Sequence, residues 1–244
     1  MKLDQNKILI TGATSGIGRE LTERFCLLNN QIIAVGRNEI KLKELEKFDS
    51  RITTFKCDIT SKSELNQLVA HIKQKHQDLN VLINSAGIQY NQNLLDPTYT
   101  LKKIEKEVLT NLTSPIKLIT LLLPVLQKNS NAAIVTISSG LAIVPKAKAA
   151  VYCGTKAAIH IFSKSLRYQS NKIKVFEILP PLVNTEMTKG RGAKKITVKR
   201  LVDEFIKAFK NNKYEVNIHK VKLLRIINRI SPKIADRIMK GSII

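Results

Sequence analysis

"KILITGATSGIG", residues 7–18, begins with five residues of strand character and ends on three glycines, Gly12, Gly16 and Gly18. An apolar run that stops at a glycine-rich turn and continues as an amphipathic stretch reads as strand, turn, helix. Glycines there permit a tight turn and a close backbone approach to a diphosphate, and the N-terminus of the helix offers free N–H groups and a favourable dipole. The spacing is Gly-x-x-x-Gly-x-Gly rather than Gly-x-Gly-x-x-Gly, and such a turn alone is weak evidence. Its weight depends on the rest of the chain.

The rest of the chain alternates regularly. Strand candidates recur at 7–11, 31–35, 51–55, 80–84, 132–138 and 174–179. Several are continuous apolar runs, as expected of strands buried on both faces of a parallel sheet. Helix candidates lie between them at 16–30, 61–76, 99–128 and 151–169. The second of these opens on Ser61 with Glu64 three residues later, a capping-box pattern. The third is long, and Pro115 is expected to kink it. Strict β/α alternation predicts a doubly wound parallel sheet with helices on both faces, a single Rossmann-fold α/β domain. With that context, the turn at 12–18 reads as a dinucleotide site contributed by Gly12, Thr14, Ser15, Gly16, Ile17 and Gly18.

The second strand runs into "AVGRN". An acidic residue at its end would bind an adenosine ribose 2′-hydroxyl and select NAD. Gly36 and Arg37 stand there instead, and a guanidinium suits a 2′-phosphate. NADP is therefore expected, with NAD the second choice; the alternative is a surface Arg37 paired with Glu39 or Glu44.

Composition narrows the class. The chain has 244 residues, 43% of them hydrophobic, enough for a sizeable core. Its opening residues read as a strand rather than an apolar signal segment, and the apolar stretch 115–128 is broken by Lys117 and Pro124. A cytoplasmic location is expected. Cys26, Cys57 and Cys153 lack metal-ligand spacing and read as buried thiols. His71, His76, His160 and His219 show no metal spacing either, and no metal is expected.

The formal charge of +22 is uneven: residues 189–244 hold 16 Lys/Arg against four Asp/Glu. Such a balance attracts anions. Aromatic residues make up only 5% of the chain, and none lies within the basic stretches 189–204 and 215–244, so specific nucleic-acid binding is not expected. The stretch 188–195 reads as a mobile substrate loop and 197–210 as a helix. Beyond it, Val221, Leu224 and Ile227 share one apolar stripe and Leu223, Ile226 and Ile230 another. A basic helical extension over 191–244 packing on the same domain as the 1–190 core, and weak contact with an anionic membrane surface, are both open readings.

"VYCGTK" (151–156) places Tyr152 one helical turn before Lys156, side by side on one face. Five Tyr and 31 Lys in this chain give fewer than one Tyr-x-x-x-Lys by chance, yet Tyr99–Lys103 and Tyr168–Lys172 also match. Only Tyr152 has a serine, Ser139, thirteen residues ahead at the end of a strand.

"TGATSGIG", "NSAG" (84–87), Asn111, "ISSG" (137–140), "YCGTK" and "PPLVNTEM" (180–187) occur together in an order that resembles the short-chain dehydrogenases/reductases, most nearly the DltE-type oxidoreductases. The resemblance spans 5–190 and implies an oxidoreductase interconverting a carbonyl and a secondary alcohol with a nicotinamide cofactor. It implies Tyr152 as general acid/base, with its pKa lowered by Lys156 together with the positively charged nicotinamide when oxidised; Lys156 would also hold the nicotinamide ribose. Ser139 would bond the substrate oxygen, and Asn111 would position a water linking Lys156 to solvent. Asp58 and Ile59 would contact the adenine; Asn84, Ala86, Gly87, Val183 and Thr185 would line the rest of the cofactor site. The family's usual second Asn and its Pro-Gly are here Ser85 and Pro180-Pro181. The resemblance also implies a homodimer or homotetramer and a small-molecule substrate. The alternative is a cofactor-binding, membrane-surface-associated regulatory protein on the same scaffold.

Overall fold

In the computed structural model, which describes residues 1–240, β1 (Lys7–Thr11), β2 (Gln31–Gly36), β3 (Ile52–Lys56), β4 (Val81–Asn84), β5 (Ala133–Ile137), β6 (Lys174–Leu179) and β7 (Glu215–Asn217) form one sheet. Their order is β3-β2-β1-β4-β5-β6-β7, and every pairing is parallel. The continuous apolar strands are explained by burial on both sides. Along β1, Ile8 and Ile10 enter one core while Leu9 enters the other; on β2, Ile32 and Ala34 oppose Ile33 and Val35.

Helices cover both faces. One core receives α1 (Gly16–Leu27) and α7 (Val198–Lys210), where Phe25, Phe205 and Phe209 meet one another and Phe209 meets Phe176 of β6, at centroid separations of 4.8 to 6.3 Å. The other receives α3 (Lys62–Lys75) and α5 (Ser114–Leu126) through Leu68, Ile72, Leu118 and Leu122. Each of these fully buried side chains contributes about 1.5–3 kcal/mol of transfer free energy. Further helices are α2 (Glu39–Phe48), α4 (Leu101–Val108), α6 (Ala150–Gln169), α8 (Lys220–Ile230) and α9 (Pro232–Lys240).

Pro115 does not break the long helix. α4 passes into α5 through a π turn, Leu109–Thr113, with Ser114 N–H bonded to the carbonyl of Leu109. Proline has no N–H, so the carbonyl of Asn111 four residues earlier loses its α-helical donor, and the wider turn absorbs the mismatch. The combined helix, Leu101–Leu126, is long and apolar enough by length and composition to cross a membrane, unlike the 115–128 stretch read by itself. Here its Leu118, Ile119, Leu122 and Leu126 are buried against the sheet.

The capping box at α3 is half formed. Ser61 accepts from Glu64 N–H, but the Glu64 carboxylate turns to Asp58 N–H at 2.8 Å. The chain beyond 190 is not purely helical: β7 extends the sheet and α7 fills the first core, so the core runs past the boundary read from the sequence.

Candidate active site

The strand order reverses between β1 and β4, where parallel sheets of this kind open a crevice at the carboxyl ends of their strands. A cleft of about 1040 Å³ lies there. Its floor is the turn after β1. Gly12 (φ +66°) crosses so near Ala86 that a Cβ would lie 2.8 Å from the Ala86 Cα, and a Cβ on Gly18 would lie 2.2 Å from the Gly12 carbonyl oxygen. Both contacts are with backbone, so only glycine fits. The Ser15 side chain does not cap α1 and no acidic residue stands in its first turn, which leaves those amides facing the cleft as an anion cradle.

Gly12, Thr14, Ser15, Gly16, Ile17, Gly18, Arg37, Asp58, Ile59, Ala86, Gly87, Val183 and Thr185 all line this cleft, together with Ser139, Tyr152 and Lys156. Arg37 is 61% exposed and pairs with Asp58 at 3.5 Å, whereas Glu39 and Glu44 pair elsewhere. At Gly36 a Cβ would lie 2.6 Å from Thr14 Cγ2, so a larger residue there would have to displace the Thr14 side chain.

Asn84 departs from the expected set. As the last residue of β4, in register with Thr11 and Thr136, it is buried in the sheet, and neither atom of its amide has a hydrogen-bond partner. The cleft is lined instead by Ser85, Ala86 and Gly87. Asn111 also stands behind the wall rather than on it. Its amide exchanges bonds with the backbone of Ile88, accepting at 2.9 Å and donating at 2.8 Å, so the side chain is spent on the loop and is not free to hold a water. Pro115, having no N–H, cannot donate to the Asn111 carbonyl as the α-helical partner would.

Ser139, two residues past β5, accepts from Leu141 N–H at 3.1 Å, leaving its own O–H to donate toward Tyr152. Tyr152 and Lys156 sit on the first turns of α6, which is launched from Ala149 in the left-handed region (φ 76°) with its N–H bonded to Gln92. Lys156 Nζ lies 5.6 Å from the Tyr152 ring centroid and donates to the Ile137 carbonyl at 2.6 Å. Burial lowers the Lys156 ammonium to about 8, with Glu177 and Glu107 opposing the shift. For Tyr152, burial raises the phenol well above its usual range; Ser139 and Arg191 pull it down. Desolvation is the largest influence on the Tyr152 phenol, so any lowering by Lys156 and an oxidised nicotinamide has to work against burial.

The other two Tyr-x-x-x-Lys pairs are structural. Tyr99 is buried and donates to Glu107, and Tyr168 is 74% exposed. Burial pushes the Cys57 thiol up to about 12, so it stays protonated.

Several residues beside the site carried no sequence signal. Glu107, fully buried, accepts from Tyr90 N–H and Tyr99 Oη at 3.0 and 2.9 Å. Glu177, fully buried on β6, meets His160 Nδ1 at 2.8 Å one turn beyond Lys156. His160, Glu177 and Glu215 bring ligand-type atoms within 4.8 Å of one another, although the histidines showed no spacing, and Glu215 is also ion-paired with Arg225. The loop 188–195 is tied down: Arg191 bonds the side chain and carbonyl of Gln89, and Val183 bridges to Ile196. Of the two tail stripes, Val221, Leu224 and Ile227 line the cleft; Leu223 of the second also reaches it although exposed, while Ile226 and Ile230 are exposed.

The model of the short chain dehydrogenase family matches residues 6–196, so the chain belongs to the short-chain dehydrogenases/reductases, an oxidoreductase family. It is 37% identical over 237 residues, 94% of each chain, to a protein of Bacillus subtilis (strain 168) named "Uncharacterized oxidoreductase DltE". Its fold matches a short chain dehydrogenase from Burkholderia cenocepacia J2315 in complex with NADP, with a TM-score of 0.88 at 22% identity over 98% of this chain and 99% of that one. It also matches one from Burkholderia phymatum in complex with NAD, with a TM-score of 0.82 at 15% identity over 94% and 96%.

Proposed function

We propose that this protein is an NADP-dependent oxidoreductase that interconverts a carbonyl and a secondary alcohol, with Tyr152 as general acid/base. The observation that carries the reading is the placement of Ser139, Tyr152 and Lys156 on one wall of a cleft whose floor is the Gly12–Gly18 cradle and whose rim is Arg37. The cradle's close backbone approach and open helix amides fit a diphosphate, and the exposed guanidinium fits a 2′-phosphate. Asp58 and Ile59 would face the adenine, Ala86 and Gly87 the adjoining ribose, Lys156 the nicotinamide ribose, and Val183 and Thr185 the carboxamide. Bound NADP(H) supplies the hydride.

The chain's own residues handle the oxygen. Because burial keeps the Tyr152 phenol protonated at neutral pH, it is set to donate a proton to a carbonyl oxygen, and Ser139 adds a second hydrogen bond to the developing alkoxide. Lys156, with a pKa near 8, is placed to keep a positive charge beside the tyrosinate until a proton returns.

Three buried free thiols support a reducing, cytoplasmic setting. The exposed apolar Ile161 and aromatic Tyr168 on α6 support a homodimer or homotetramer through α5 and α6, which sedimentation would check. The reading is tested by NADPH oxidation with a panel of ketones and aldehydes, on wild type and Tyr152→Phe. Turnover lost in the variant supports it; equal rates overturn it.

A further inference from the structure

The loop after β4 is fastened to its surroundings almost residue by residue. Ile88 is held by Asn111, Tyr90 N–H by Glu107, and the Gln92 carbonyl by Ala149 N–H. The two side chains between them, Gln89 and Asn91, each hold a cation. Arg191 donates to Gln89, and Lys146 Nζ donates to Asn91 Oδ1 at 2.5 Å. Both cations line the cleft that holds Tyr152, and both are partly buried. Among the described residues, neither has a carboxylate within ion-pair distance, whereas ten other Lys and Arg side chains do. Two like charges on neighbouring anchors cost free energy by repulsion and desolvation unless an anion comes between them. Burial pushes the Lys146 ammonium down, and Arg191 adds to that push.

Another part of the lining, from α8, is largely apolar. Val221 of α8 packs on Gly140, next to Ser139, so closely that a Cβ on Gly140 would lie 2.9 Å from Val221 Cγ2. Leu224 and Ile227 continue that face along α8, and Leu141 and Leu182 join it. The mixed apolar and basic tail, which the oxidoreductase chemistry does not need, thus supplies one side of the pocket.

We infer that the substrate is an aliphatic carbonyl compound carrying an anionic group: Arg191 and Lys146 hold the anion, and α8 takes the aliphatic arm. This rests on the oxidoreductase reading above. The anion is a carboxylate or a phosphate, since both satisfy paired cations. A neutral ketone loses the ion contacts, and a short acid loses the α8 contacts.

The test compares kcat/KM for 2-oxooctanoate, 2-oxobutanoate and 2-octanone with NADPH, on wild type, Arg191→Gln and Lys146→Gln, with a 3-oxoacyl coenzyme A thioester as the phosphate-bearing probe. The long-chain acid or the thioester should exceed 2-octanone by about tenfold or more, and that ratio should fall by about tenfold in each variant and with added salt. The long acid should also exceed the short one. Which anionic probe is preferred identifies the anion. Turnover of 2-octanone at least equal to that of both anionic probes, or a ratio unchanged in both variants, overturns the subsite and leaves the oxidoreductase reading intact. Failure to turn over any of these carbonyls, or to bind NADPH, overturns the reading on which it rests.

Discussion

Lys156 donates to the Ile137 carbonyl at 2.6 Å, joining the first turns of α6 to the carboxyl end of β5. That bond fixes Tyr152 and Ser139 relative to one another, because one precedes the lysine by a helical turn and the other follows Ile137 by two residues. The ammonium is buried there at a cost, and Glu177 and Glu107 offset part of it.

The sign of that cost can be measured. The Lys156 pKa falls from 10.5 in the unfolded chain to about 8 in the fold, so folding disfavours the charged form. The penalty is complete below about pH 8 and is relieved as pH rises toward 10.5. Lys156→Met should therefore stabilise the fold at pH 7 by something on the order of 1–3 kcal/mol, seen as a raised Tm, while abolishing turnover. A fall in Tm in calorimetry would contradict this.

Carbonyl reduction should decline as pH rises through about 8, when Lys156 loses its proton. Glu177 favours the lysine cation, so Glu177→Gln should move that limb of the kcat profile to lower pH. As a positioning residue, Glu177 should shift the profile without abolishing NADPH binding. An unmoved profile would limit Glu177 to packing with His160.

Tyr152→Phe should cut turnover by about a hundredfold or more while leaving NADPH affinity within about threefold of wild type. Affinity lost together with rate would place the phenol in cofactor binding instead.

Gly18→Ala should abolish NADPH binding, because its Cβ would lie 2.2 Å from a backbone oxygen that cannot move without opening the cradle. Normal titration of this variant by NADPH would remove the diphosphate from the Gly12–Gly18 turn.

Much of this architecture was legible in the sequence because parallel strands buried on both faces leave continuous apolar runs, and the glycine turn has a fixed place after the first. What stayed hidden has physical reasons. α2 buries only Leu42 and Leu45, and β7 buries only Val216, too little periodicity to register. The π turn depends on where the Pro115 mismatch is absorbed, which no local pattern records. Glu107, Glu177, Lys146 and Arg191 owe their importance to partners far off in the chain, from Tyr90 to Gln89. Sequence neighbours share a motif without sharing a face: Ser85 lines the cleft while Asn84 is buried in the sheet.

Fluorescence titration with NADPH and NADH, on wild type and Arg37→Asp, measures the cofactor preference itself. NADPH should bind wild type more tightly than NADH by about tenfold or more, and the Arg37→Asp variant should lose or invert that preference. Equal affinities in wild type would contradict the role given to Arg37, and no binding of either nucleotide would contradict the oxidoreductase reading itself.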